Sequence, residues 1–208
     1  MYNIAERQSM SNEMSKPGRS GKVGTFRLEL TGDFLLLLTL TWFFWGGESL
    51  SALLLAAAVH ELGHAAALLG LGQLPRALRM DAAGFCFRCP PAETEWRELL
   101  RAMAGPAAGL LLALALRGSA APFLRLCGET SLALSGMNLL PATCLDGGRL
   151  LRSLAALVLG PVPAERISSA LDWVCILLFL LLGLKGRPDW LLWCAWLLVR
   201  RVRRRTDG

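Results

Sequence analysis

Residues 50–72 read LSALLLAAAVHELGHAAALLGLG, an apolar run whose only ionisable side chains are His60, Glu61 and His64. At 1.5 Å rise per residue, a helix of this length covers the roughly 30 Å hydrocarbon core of a bilayer. Three ionisable groups inside such a span need a compensating role, because each charged group there costs at least about 2.5–3.5 kcal/mol. Their spacing supplies one. A helix advances 100° per residue, so positions four apart differ by only about 40° around the axis. His60 and His64 therefore project from one face, one turn apart, as two nitrogen donors for a single zinc ion. Glu61 sits beside them, placed to act as general base toward a water at the metal. These are the only two histidines in the chain. Their small neighbours, Ala57, Ala58, Gly63, Ala65, Ala66 and Ala67, let other helices approach closely.

Working outward, the rest of the chain repeats the apolar theme. Of 208 residues 54% are hydrophobic, and mean hydropathy is +0.45. The apolar residues stand in blocks rather than stripes, such as FLLLLTLTWFFW at 34–45 and WVCILLFLLL at 173–182. A chain this short has no interior large enough to bury them all in water. The reading is an all-α polytopic membrane protein with about six transmembrane helices. The spans are placed near 29–47, 50–70, 98–116, 129–145, 167–184 and 189–199. Residues 149–159 form one further apolar helix, closed by Gly160-Pro161. Between the second and third spans, residues 73–92 carry Pro75, the alternating run GFCFR at 84–88 and Pro90-Pro91. This pattern predicts a small membrane-associated β-hairpin, which must pack on protein or line a wet cavity. Residues 1–27 are expected to be a flexible polar tail, 28–200 the membrane domain, and 201–208 a basic tail.

The net charge of +6 does not point to nucleic acid, because the basic residues flank apolar blocks. With a cytoplasmic N-terminus and six spans, 18 of the 22 Lys and Arg fall on the cytoplasmic side, as the positive-inside rule requires. Both termini are then cytoplasmic, and Arg200, Arg201, Arg203, Arg204 and Arg205 sit near anionic lipid. The six cysteines suggest no disulfide framework, and Cys86-Phe-Arg-Cys89 is a lone pair whose spacing reads as chance.

Two histidines leave a catalytic zinc one protein ligand short. The best third donor is Asp146, at the cytoplasmic end of the fourth span in the string NLLPATCLDGGR over 138–149. Gly147 and Gly148 give the backbone freedom to bring the carboxylate inward. A plainer reading of Asp-Gly-Gly is a turn that caps the following helix. The carboxylates Asp81, Glu93, Glu95 and Glu98 lie in the polar loop and are poorer donors. Pro141 breaks the helix ahead of Asp146. Asn138 has two readings, a donor to substrate backbone or a developing oxyanion, and an interhelical hydrogen bond.

His60-Glu61-Leu62-Gly63-His64, then Ala104-Gly105-Pro106, then Asn138…Pro141…Leu145-Asp146-Gly147-Gly148-Arg149 occur in the order found in the site-2 protease family of intramembrane metalloproteases, which the chain resembles. The resemblance implies one zinc held by His60, His64 and Asp146, with Glu61 catalytic. It implies hydrolysis of a peptide bond within or next to a transmembrane segment of a membrane-tethered substrate, in a multi-pass protein of a bacterial inner membrane. Regulatory membrane proteins are possible further partners. The layout is most similar to the sporulation branch, which activates a membrane-tethered pro-sigma factor. Gly109, where the family often has Asn, and Cys144, where Pro is common, depart from the pattern. Two other classes were weighed. An ion or proton pathway would place polar residues along several spans, and the third and fifth have almost none. A catalytically silent scaffold would not need all four groups intact.

Overall fold

The computed structural model describes residues 27–74, 77–81, 84–88, 92–186 and 189–206. Residues 1–26 of the expected tail over 1–27, and Cys89, lie outside the described residues. So do the side chains of Cys86 and Asp81. A short strand, β1 (Arg27–Leu30), leads into a long helix, α1 (Gly32–Gly70). Strands β2 (Ala77–Asp81) and β3 (Gly84–Arg88) follow, then helices α2 (Glu95–Leu116), α3 (Pro122–Asn138), α4 (Asp146–Leu159), α5 (Pro161–Leu184) and α6 (Asp189–Thr206).

Apart from residues 29–31, the expected first and second spans lie within α1, which is broken at Gly46 (φ 80°, ψ 172°). Only glycine takes that conformation without a steric penalty, so the helix changes direction between Trp45 and Gly47 without a connecting loop. Among the described residues, three helical segments are long and apolar enough to cross a membrane, namely Phe34–Gly70, Glu95–Leu116 and Pro161–Leu184. A shorter apolar stretch, Trp190–Val199, lies in α6. The outward faces of these helices are rich in large apolar side chains. Trp42, Phe43, Phe44 and Trp45 are all well exposed, an arrangement suited to lipid or its interface rather than to water.

Where 73–92 was read as extended, β2 pairs antiparallel with β3, placing Leu78 opposite Phe87. The connecting residues 82 and 83 lie outside those described. A third strand was not expected. β1, whose residues 29 and 30 had been assigned to the first span, pairs parallel with β2. Thr31 extends that pairing, its backbone N–H and hydroxyl both donating to the Met80 carbonyl at 3.1 and 2.7 Å. The sheet thus hangs from the start of α1.

The fourth expected span, 129–145, is displaced. Helix α3 starts earlier, with Pro122 at its first turn, where the missing N–H costs nothing. It ends at Asn138 because Pro141 cannot continue it. Residues 139–145 form a connection, and Asp146 opens α4 rather than closing the preceding helix.

Small residues set the helix spacing. A Cβ on Gly63 of α1 would strike the Ala104 carbonyl of α2, and one on Gly109 of α2 would strike the Ser135 hydroxyl of α3. Buried Ser131 donates to the Gly109 carbonyl at 2.9 Å, tying α3 to α2. On the other side Cys175, Ile176 and Phe179 of α5 pack with Cys194 and Leu197 of α6 and with Ala142 of the connection. The connection that delivers Asp146 is therefore wedged against the α5–α6 pair.

Candidate metal centre

Helix α1 presents His60 and His64 to Asp146, 86 residues further on, at the first position of α4. The Nε2 atoms of the two imidazoles lie 3.2 Å apart. Asp146 Oδ2 is 3.1 Å from His60 Nε2 and 3.0 Å from His64 Nε2. Donors bound tetrahedrally at 2.0–2.1 Å would stand roughly 3.3 Å from one another. The three atoms form a triangle of nearly that size, and His60 and Asp146 are buried.

The hydrogen bond on the far side of the His64 ring suits a cation at this point. His64 Nδ1 donates to the Arg101 carbonyl of α2 at 2.8 Å. That bond fixes the tautomer, so Nε2 carries a lone pair. In the neutral ring this lone pair and the Asp146 carboxylate oxygen, both acceptors, face each other at 3.0 Å, a contact made favourable by a proton or a metal ion between them. The residues present fit a zinc ion by atom type, spacing and orientation.

Glycines beside the site are required by space rather than by backbone freedom. Gly147 and Gly148 are helical and buried, and neither has positive φ. A Cβ on Gly147 would meet the Leu139 carbonyl, and one on Gly148 the Ala142 carbonyl. Their bareness lets the 139–145 connection fold tightly over the start of α4. The Ala104-Gly105-Pro106 motif has the same logic, since a Cβ on Gly105 would run into the His64 ring.

Asp146 does not cap its helix. Leu145 is the capping residue, and no side chain makes the cap hydrogen bond. The carboxylate divides its oxygens instead, Oδ2 facing the imidazoles and Oδ1 accepting from Arg149 NH1 at 3.2 Å.

Glu61, next to His60 on the helix, is half-buried, with His64, Asp146 and Arg149 as its ionisable neighbours. It makes no hydrogen bond or ion pair among the described residues, which leaves its carboxylate available. Asn138 closes α3, and its amide donates to the Leu134 carbonyl one turn back at 3.0 Å. One of its two N–H groups is therefore committed within its own helix, not to a neighbouring one. The loop carboxylates are engaged elsewhere, Glu93 with Arg97, Glu95 with Arg152 and Glu98 with Arg149.

Two groups near the site escaped the sequence reading. The Arg101 carbonyl that orients His64 has no side-chain signature. Asp172 of α5 accepts from the backbone N–H and the hydroxyl of Thr143, each at 2.8 Å, and from Arg201 of α6 at 2.8 Å. It thereby pins the connection before Asp146. An Asp inside an apolar helix was the available signal.

The sequence model of Peptidase family M50 matches residues 115–182, a stretch that contains Asn138 and Asp146 and lies after the two histidines. The "Putative zinc metalloprotease sll0528" of Synechocystis sp. is 32% identical over 144 residues, which are 61% of this chain and 38% of that protein. The chain thus spans about two fifths of the length of that relative. Among solved structures, the Site-2 Protease from Methanocaldococcus jannaschii superposes with a TM-score of 0.65 over 86% of this chain and 91% of its own, at 24% identity. The two folds are alike. The chain is thus similar in sequence to Peptidase family M50 over residues 115–182 and in fold to a site-2 protease, and its His60, His64 and Asp146 atoms form a donor group able to hold a metal ion.

Proposed function

We propose that the protein is an intramembrane zinc metalloprotease that cleaves a membrane-tethered protein within or next to its transmembrane segment. One observation carries the reading. Three ligand-type atoms from two distant parts of the chain converge to 3.0–3.2 Å, with an uncommitted carboxylate, Glu61, beside them. His60, His64 and Asp146 hold the zinc, one ion per chain. Bound there, zinc supplies Lewis acidity toward a water and toward a scissile carbonyl. Glu61 accepts the proton that the attacking water loses and hands it to the leaving amine. Asn138 keeps one amide N–H for a substrate carbonyl. A substrate helix hides its carbonyls in internal hydrogen bonds, so it must unwind before Glu61 can act. The edge of β3 suits an unwound strand.

In a six-span layout the two segments of the kinked α1 and the helices α2, α3, α5 and α6 are the crossings, with α4 as a shorter additional helix, and the distribution of Lys and Arg favours cytoplasmic termini. A bacterial inner membrane suits that arrangement, and a membrane-tethered pro-sigma factor is the natural first substrate to co-express.

The test is cleavage of a transmembrane reporter in co-reconstituted liposomes. Glu61→Gln should retain zinc and fold yet cut at least a hundredfold more slowly, since general-base catalysis contributes about 10²–10⁴-fold. A Glu61→Gln rate near wild type would remove Glu61 from the chemistry.

A further inference from the structure

Helix α2 carries no metal ligand, yet one face of it touches both halves of the metal centre. Glu98, Arg101 and Gly105 are spaced three and four apart and so share that face. Gly105 makes room for the His64 ring, and the Arg101 carbonyl orients His64. Glu98 reaches toward the third donor. Its Oε1 accepts from Arg149 Nε at 2.9 Å and from Arg149 NH2 at 2.6 Å. The remaining terminal nitrogen of the same guanidinium, NH1, donates to Asp146 Oδ1. Arg101 NH1 lies 3.6 Å from the other oxygen of Glu98. One planar guanidinium thus bridges two carboxylates, from α2 and α4, in a geometry that a Lys point charge would not reproduce. The Glu98 side chain is 15% exposed and that of Asp146 9%, whereas that of Arg149 is 37% exposed, so the two carboxylates are shielded while solvent reaches part of the guanidinium that joins them.

We propose that Glu98 is a positioning residue for the metal centre, acting through Arg149. By holding Nε and NH2, Glu98 fixes the plane of the guanidinium. NH1 then occupies Asp146 Oδ1 and leaves Oδ2 alone to face the imidazoles. Glu98 also offsets the positive charge of Arg149, which would otherwise draw electron density from the ligand oxygen. A guanidinium freed from Glu98 would swing, and the carboxylate could rotate or turn both oxygens to the metal. Partners of ligand groups in this position change metal affinity by about 10–100-fold when removed.

The proposal rests on the zinc reading, and the full chain in detergent micelles separates the two. Zinc affinity is measured by chelator competition, and ligand geometry by the visible absorption of the cobalt(II)-loaded protein. Glu98→Gln should bind zinc at least tenfold more weakly and shift the cobalt bands, while Glu98→Asp should recover part of both. The control is Glu95→Gln. Glu95 pairs with Arg152 at 3.5 Å and ties α2 to α4 without reaching a ligand, so its loss should leave affinity and bands unchanged. Should Glu98→Gln not fold, Arg149→Lys takes its place with the same expectation. The proposal is overturned if the folded variant binds zinc within twofold of wild type with unchanged bands. It is equally overturned if Glu95→Gln weakens zinc as much as Glu98→Gln. A wild-type chain that binds neither metal refutes the zinc reading itself, and the positioning role with it.

Discussion

Gly105 offers the sharpest test of how the site is packed. An added Cβ would lie 2.6 Å from His64 Cε1 and 2.7 Å from Cδ2, where ordinary carbon contacts begin near 3.4 Å. In Gly105→Ala the ring must therefore retreat by at least about 0.8 Å, and by more at Nε2, which the Cβ would approach closest of all, beyond the roughly 0.5 Å tolerance of a functional constellation. Holding the ring in place instead would cost about 1–3 kcal/mol of overpacking strain. Relief by swinging the ring away removes one donor from the triangle, so the strain falls on metal binding. At about 1.4 kcal/mol per tenfold, zinc affinity should drop roughly five- to hundredfold. Chelator competition on detergent-purified protein measures this, with Gly118→Ala as control, because a Cβ there meets nothing within 4 Å. If Gly105→Ala folds and binds zinc within twofold of wild type, the close approach of α2 to His64 is not what fixes that ligand.

Two further substitutions separate ligand from scaffold. Asp146→Asn keeps the size of the side chain but offers a weak neutral donor, so the protein should fold and lose most of its zinc affinity; undiminished zinc in a folded Asp146→Asn protein would leave Asp146 a structural role only. Asp172→Asn leaves Arg201 without its carboxylate and disturbs the Thr143 hydrogen bonds, which should destabilise the chain by about 1–3 kcal/mol, read as a lower thermal midpoint in detergent; an unchanged midpoint would mean that the connection before Asp146 is held by packing alone.

The legible parts of this protein were those fixed by local periodicity. His60 and His64 share a face because a helix repeats every 3.6 residues, and the apolar blocks announce helices that suit lipid. That Asp146 lies beside the two histidines was also legible, but partly for the wrong reason. Gly147 and Gly148 were read as a flexible joint, whereas they are helical residues kept bare by the carbonyls of Leu139 and Ala142. Sequence gives backbone freedom and steric need the same letter. The end of the third helix was misplaced because the apolar run continues past Asn138, and Pro141 outweighs it. β1 was absorbed into the first span, since four residues before a long apolar helix carry no alternation long enough to read. The Glu98–Arg149 bridge joins residues 51 apart, and no local pattern reports such a pair. Glu98 had been weighed only as a ligand, and its place is one residue further out.

The central claim is that His60, His64 and Asp146 jointly hold one zinc ion. The direct measurement is metal content per chain by elemental analysis of protein purified without added chelator, for wild type and for the His60→Ala/His64→Ala double variant. The account predicts about one zinc per wild-type chain and close to none in the double variant at equal helix content. Equal zinc in the two proteins would contradict it.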